Sequence, residues 1–178
     1  MKEVELRLVS ELMKNSRRSD RDLAKAIGVS QPTVTRIRTR LEKEGCLKEY
    51  TVIPDFNKLG YEIMAFTFIK FSRMLTPEEV DNAKKAAREF SQDRPLEIVM
   101  IERGMGLDCH GVYVSFHKNY SSYIDFKEWL RKRLSLSISD TQSFIISLAD
   151  KVRYRPLTFF TLAKHLLKVE EAMPETSP

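Results

Sequence analysis

"GVSQPTVTRIRTRLEKEG" (residues 28–45) carries two sets of residues wound together. Val34, Ile37 and Leu41 recur at steps of three and four, and Gln31, Thr33, Thr35, Arg36, Arg38 and Arg40 fill the positions around them. Such spacing puts an apolar stripe on one side of an α-helix. Ser30 can cap its first turn, Pro32 falls where a missing N–H does no harm, and Gly45 stops the run. With the stripe turned to a core, the polar and basic set faces water or a ligand. A basic helix face is most often a solvated surface, so the neighbouring sequence decides between the two.

Upstream, "VELRLVSELM" spaces Val4, Leu6, Val9, Leu12 and Met13 for a first amphipathic helix. "NSRRSDRDLAKAIG" adds a polar turn, Ser19 as N-cap, a short helix with Leu23, Ala24 and Ile27 inward, and Gly28 as its terminator. Three helices, the last two joined by a tight turn, form the arrangement that fits a helix into the major groove of DNA. Gln31 suits the edge of adenine, arginine that of guanine, and Thr33 or Thr35 a thymine methyl or a phosphate; Ser30 lies at the same end. Arg17, Arg18, Arg21 and Lys25 lie on the turn before the second helix and along it and suit backbone phosphates, which give affinity and register without sequence information. After Gly45, alternation of Leu47, Tyr50, Val52 and Ile53 with polar residues, turning at Pro54 and Asp55, predicts a two-stranded wing with Lys48 as a further contact.

Charge agrees with this assignment. The chain has 178 residues and a formal net charge of +5, and residues 14–40 hold eight basic against two acidic side chains. A local cationic surplus suits a polyanion. Cys46 and Cys109 have no disulfide or metal-ligand spacing, so reduced thiols and no metal are expected. The N-terminus lacks an unbroken apolar region, and no stretch approaches the roughly 18 apolar residues of a membrane span, which predicts a cytoplasmic protein that does not engage membranes.

"DLAKAIGVSQPTVTRIRTRLEKEGCLKEY" and "VIPDFNKLGYEIMAFTFIKF" resemble the Lrp/AsnC family of bacterial and archaeal regulators, and the region near "ERGMGLDC" does so more loosely. The resemblance implies an N-terminal winged helix-turn-helix over 1–60, with Leu59, Gly60 and Tyr61 closing the wing and connector. It also implies a ferredoxin-like effector and oligomerisation domain over 61–152. In the family a small effector, often an amino acid, binds between subunits near the turn joining the second and third strands, which implies Gly104, Gly106 and Asp108 here. The family's usual Gly-Asp-x-Asp-aromatic run is replaced by "GMGLDCHG", with Cys109 where an aromatic is common.

The residues themselves give a matching α+β order. "IMAFTFIKF" reads as a strand, and "TPEEVDNAKKAAREFSQD" as a helix capped by Thr76 with Val80, Ala83, Ala87 and Phe90 inward. "PLEIVMIER" and "GVYVSFHK" read as strands around a glycine-containing turn, "SSYIDFKEWLRKRL" as a helix and "SDTQSFIISLA" as a last strand. That is βαββαβ, with helices on one face of the sheet. Phe66, Phe68, Val112 and Val114 on the other face need a cover, which a second subunit supplies, so a homodimer or higher homo-oligomer is expected.

Beyond the family's usual end, residues 153–173 predict a helical extension starting at Pro156, with Phe159, Phe160, Ala163, Leu166 and Leu167 apolar, and 174–178 a disordered tail. An alternative from another class is a tetrapyrrole-modifying enzyme on the same scaffold, like the siroheme decarboxylases, with His110 and His117 as acid, base or ligand. No nucleophile arrangement and no phosphate-cradling glycine loop supports it, so neither catalysis nor a cofactor is expected.

Overall fold

Four side chains meet at the centre of the N-terminal helices: Leu8, Leu23, Val34 and Leu41, none more than 1% exposed. They belong to α1 (Glu3–Lys14), α2 (Asp20–Ile27) and α3 (Gln31–Lys43), and Leu12, Ala24, Ile27 and Ile37 complete the cluster. The structure, a computed structural model, describes residues 1–73, 75–82, 84–85, 97–133, 138–152 and 155–171. It divides into two compact units, residues 54–153 forming one and residues 1–53 with the C-terminal segment from 154 forming the other.

Helix boundaries in the first unit follow the capping chemistry. Ser19 accepts from the Asp22 N–H at 3.2 Å, and Ser30 from that of Thr33 at 3.4 Å. Between them Gly28 ends α2 at φ +74°, a left-handed conformation that costs glycine little. Helix α1 departs from expectation. Leu8 lies at the centre of the core, while Val4, Leu6, Val9 and Met13 are only half-buried. Two sides of α1 are covered, because Ser10, on α1, is also fully buried.

The second cover is α5 (Phe160–Glu171), which packs on α1. Ser10 Oγ donates to the Ala163 carbonyl at 2.7 Å, and Ala163 is fully buried. Small side chains at this crossing let the two backbones approach closely. The helix begins at Phe160 rather than Pro156, with the Phe160 N–H donating to Thr158 Oγ1 at 3.1 Å. Phe159 and Phe160, expected on its inward face, stay about half exposed, whereas Ala163 is buried and Leu166 and Leu167 are half-buried.

No two-stranded wing forms: residues 46–62 contain no strand. A lone two-stranded hairpin is marginal in water, and Pro54 removes a ladder donor where the chain would turn back. Residues 48–55 instead carry no regular secondary structure, and Ser16 Oγ donates to the Thr51 carbonyl at 3.3 Å.

The second unit is a four-stranded antiparallel sheet in the order β2-β3-β1-β4, with β1 Ile63–Phe71, β2 Ile98–Gly106, β3 Cys109–His117 and β4 Ile138–Ser147. Central β1 alternates: Ile63, Ala65, Thr67 and Ile69 are buried, and the first, second and last of these pack with Tyr123, Phe126 and Leu130 of α4 (Tyr120–Arg133). Thr67 bonds instead with Ser143 at 3.2 Å. Residues 77–82 are helical, opened by Thr76 Oγ1 accepting from the Glu79 N–H at 3.2 Å. Ala83, Ala87 and Phe90, expected inward on that helix, lie outside the described residues, as does the tail 174–178. The opposite sheet face presents Phe66 beside Val114 and Phe144, and Phe68 beside Val112, with Phe144 65% exposed. The order and connectivity are those of a ferredoxin-like fold, as expected.

Ala163→Leu should overpack the α1–α5 crossing and lower stability by about 1–3 kcal/mol, whereas Ser10→Ala should cost about 1 kcal/mol. Denaturant unfolding followed by circular dichroism compares the two.

Candidate nucleic-acid interface

Once Val34, Ile37 and Leu41 are buried, the rest of α3 is a polar surface whose side chains differ in freedom. Gln31, Pro32, Thr35, Arg36, Thr39, Arg40 and Lys43 line a shallow groove of about 820 Å³ along its outer side. Arg36 is exposed, and among the described residues no hydrogen bond or ion pair holds it. Gln31 is also exposed, its backbone carbonyl accepting from Thr35 Oγ1 at 3.2 Å while no bond holds its side chain among the described residues, and Thr39 and Lys43 belong to this face although neither is among the residues expected there from sequence. Their signal was the helical step itself, since 35, 39 and 43 succeed Gln31 at intervals of four.

The remaining arginines of the helix are not free. Arg38, expected to read bases, is half-buried and turned toward α2: its Nη1 donates to Asp20 Oδ1 at 2.8 Å, and its Nε lies 2.9 Å from Tyr50 Oη and 3.3 Å from Glu42 Oε1. Its guanidinium carbon also sits 4.7 Å from the centre of the Tyr50 ring. Burial alone would lower its pKa, but bonds from Asp20 and Tyr50 overcome this and raise it, so the charge is held firmly. Arg40 pairs with the buried carboxylate of Glu5, and its Nε lies 3.7 Å from Glu44. The backbone N–H of Lys2 and then Arg40 hold the Glu5 pKa below the usual carboxylate range. An apolar stripe three residues wide leaves its flanking positions beside the neighbouring helices, and an arginine there meets carboxylates before it meets solvent.

Hydroxyls at this end of α3 are also partly committed. Ser30 and Thr33 share a bond at 2.8 Å in the cap, and Thr35 Oγ1 donates to Asp20 Oδ2 at 2.7 Å. Arg17 and Arg21, expected at phosphates, and Lys48, expected as a contact from the wing, are exposed. Arg18 is instead bound to Glu11 and, at 3.2 Å, to the Asp22 carbonyl, linking α1 to α2.

In the second unit, Leu107 and Asp108 make the two-residue turn between β2 and β3, both at positive φ (52° and 56°), the geometry that matches the twist of a tight hairpin. Gly104 and Gly106 end β2 beside Met105, which is 97% exposed. Asp108 is ion-paired to Lys70, whose hydrogen bond lowers the carboxyl pKa. His110 Nδ1 accepts from the Phe71 N–H at 3.1 Å. His117 is buried beside Tyr123 and Phe126 with its Nε2 2.8 Å from Ser115 Oγ. Among the described residues no group of three or more metal-ligating side chains gathers, and no helix is long and apolar enough to cross a membrane.

A winged helix-turn-helix DNA-binding domain family matches residues 1–48. An uncharacterised HTH-type transcriptional regulator of Pyrococcus abyssi is 38% identical over 104 residues, 58% of this chain and 64% of that protein. This chain therefore spans less than two thirds of that relative. LrpC, an HTH-type transcriptional regulator of Bacillus subtilis, is 39% identical over 61 residues, 34% of this chain and 42% of LrpC. The LrpC structure superposes with a TM-score of 0.62 over 87% of this chain and 99% of LrpC, at 21% identity. A Neisseria meningitidis transcriptional regulator solved as a complex with L-Met gives a TM-score of 0.66 at 16% identity, over 91% of this chain and 99% of that one.

Burial pushes the His117 pKa from 6.5 down to about 4. The folded state then takes up its proton later than the unfolded chain as pH falls. Stability is full above pH 6.5 and should decline by about 3 kcal/mol between there and pH 4. Urea titrations across that range should show the decline, and His117→Gln should flatten it.

Proposed function

We propose that this chain is a sequence-specific DNA-binding transcriptional regulator of the Lrp/AsnC type, working as a homodimer or larger homo-oligomer in the cytoplasm. One observation carries the reading: the outer face of α3 presents Gln31, Arg36, Thr39 and Lys43 clear of the core along one open groove. A face of amide, guanidinium, hydroxyl and ammonium groups matches the acceptors and methyls of the major groove and its phosphates. Gln31 and Arg36 would read bases, Lys43 would meet a phosphate, and Arg17, Arg21 and Lys48 would hold the backbone on either side.

Dimerisation would use the sheet face bearing half-buried Phe66, Phe68 and Val112 and exposed Phe144; Val114, expected from sequence to need a cover, is already buried within the chain. Two α3 helices related by a two-fold axis would read half-sites about one helical turn (~34 Å) or a multiple apart. The effector, if an amino acid as in the N. meningitidis regulator, would approach the hairpin of Gly104, Gly106 and Asp108. There Lys70 already neutralises Asp108, so an incoming ammonium group would have to replace the lysine at that carboxylate. This reading gives the protein no catalytic role. The relatives are named transcriptional regulators, and His117, a ring kept neutral by burial, belongs to a core rather than to a reacting centre.

Selection of duplexes from genomic fragments, followed by titration at several salt concentrations, tests the function. Binding should weaken steeply with salt. Arg36→Ala should erase about tenfold or more of the preference for selected over scrambled duplex. Arg17→Ala and Arg21→Ala should weaken both alike and each reduce the salt slope by about one. Equal binding to selected and scrambled duplexes would refute the regulator reading. Phe144→Arg should shift the protein toward monomer in light scattering.

A further inference from the structure

We propose that Asp20 and Tyr50 are positioning residues of the recognition helix: acting through Arg38, they fix the rotation of α3 and withdraw that arginine from base contact. The inference rests on the DNA-binding reading and deepens it.

Asp20 is the first residue of α2, and both of its oxygens are spent on α3: Oδ2 accepts from Thr35 at 2.7 Å and Oδ1 from Arg38 at 2.8 Å. Those two residues are three apart, so they project from one side of the helix, and a single carboxylate spans them. The apolar stripe of Val34, Ile37 and Leu41 sets how closely α3 lies against α1 and α2. It resists rotation weakly, because apolar contact is non-directional. Two directional bonds to one rigid group at a helix start supply what the stripe lacks.

Tyr50 closes the arrangement from the other side. Its phenol oxygen accepts from Arg38 Nε at 2.9 Å and donates to Glu42 Oε1 at 2.7 Å, while the guanidinium lies over its ring. The segment after α3 is thereby joined to the side of the helix about one turn before its end. Since that segment forms no wing strands, Tyr50 provides a fastening that a sheet ladder would otherwise supply. Five side chains, Thr35, Asp20, Arg38, Tyr50 and Glu42, therefore form one chain of bonds linking the start of α2, the flank of α3 and the segment beyond it.

Arginine suits the central place and lysine would not. Its planar fork reaches Asp20 with one nitrogen and Tyr50 with another while its face stacks on the ring, and an ammonium cannot do all three. Arg36 lies free on the groove side of the same helix. The two arginines, two residues apart in sequence, thus divide the work of contact and support.

The test uses the full-length protein and duplexes selected with the unaltered chain. Asp20→Asn, Tyr50→Phe and Arg38→Lys should each reduce the preference for selected over scrambled duplex about tenfold, with the salt slope unchanged, because no phosphate contact is removed. Fresh selection with the Arg38→Lys protein should return the same base preferences, more weakly expressed. The proposal is overturned if Arg38→Lys changes the preferred base at one position, or if Asp20→Asn tightens binding by releasing Arg38. Unchanged discrimination in Tyr50→Phe would overturn the part assigned to the tyrosine. Thermal unfolding without DNA tests the clasp independently should the unaltered protein prove unselective. Losses in Tm for Asp20→Asn and Arg38→Gln should then be less than additive in the double variant, and full additivity would dismiss the clasp while the regulator reading fails on its own measurement.

Discussion

The meeting of Leu8, Leu23, Val34 and Leu41 is the contact on which the three-helix unit depends. Three helices of 12, 8 and 13 residues are each near or below the length at which an isolated helix holds together in water. Their order comes from the shared core, where each fully buried aliphatic side chain contributes about 1.5–3 kcal/mol relative to exposure. Removal of one of the four would loosen all three helices, because each side chain is a wall of the others' cavity. The proposed reading of DNA needs polar groups held in constant positions, and α3 would inherit that constancy from residues that never face the groove.

Polar bonds add the orientation that apolar burial leaves open. Asp20, Arg38 and Tyr50 do so between α2, α3 and the following segment, Arg18 between α1 and α2, and Glu5 with Arg40 between α1 and α3. Each arginine is therefore assigned by its surroundings. Beside a carboxylate on an adjacent helix it becomes a strut; without one it remains available. Helix α5 extends the same logic to the other side of α1, where Ser10 and Ala163 bring the end of the chain back onto the unit that its beginning forms. The unit that carries the sheet is thus inserted between the two segments of the unit that carries α3.

Much of this is legible from residues alone. The stripe of Val34, Ile37 and Leu41, the caps at Ser19 and Ser30, the stop at Gly28 and the βαββαβ order follow from spacing and from local chemistry, which act over three or four residues. The expected wing fails because alternation of Tyr50, Val52 and Ile53 records only that a segment is extended. Whether it finds a second strand is a long-range matter, and here Ser16 takes up the Thr51 carbonyl while Arg38 holds the Tyr50 phenol. Helix α5 starts past Pro156 for a related reason: the proline permits a helix start, and Thr158 makes one.

What the sequence determined by itself was which faces are apolar, where helices begin, and that a basic surplus gathers around α3. Those properties are written in residue type and period, so no partner is needed to see them. Tertiary structure decided which basic groups are free. At about 100° per residue, Arg36 falls about 140° from the centre of the buried stripe and Arg38 about 60°, but that angle becomes a role only when Asp20, 18 positions away, arrives within 2.8 Å. Charge pairing depends on distance through space, and no spacing along the chain encodes it.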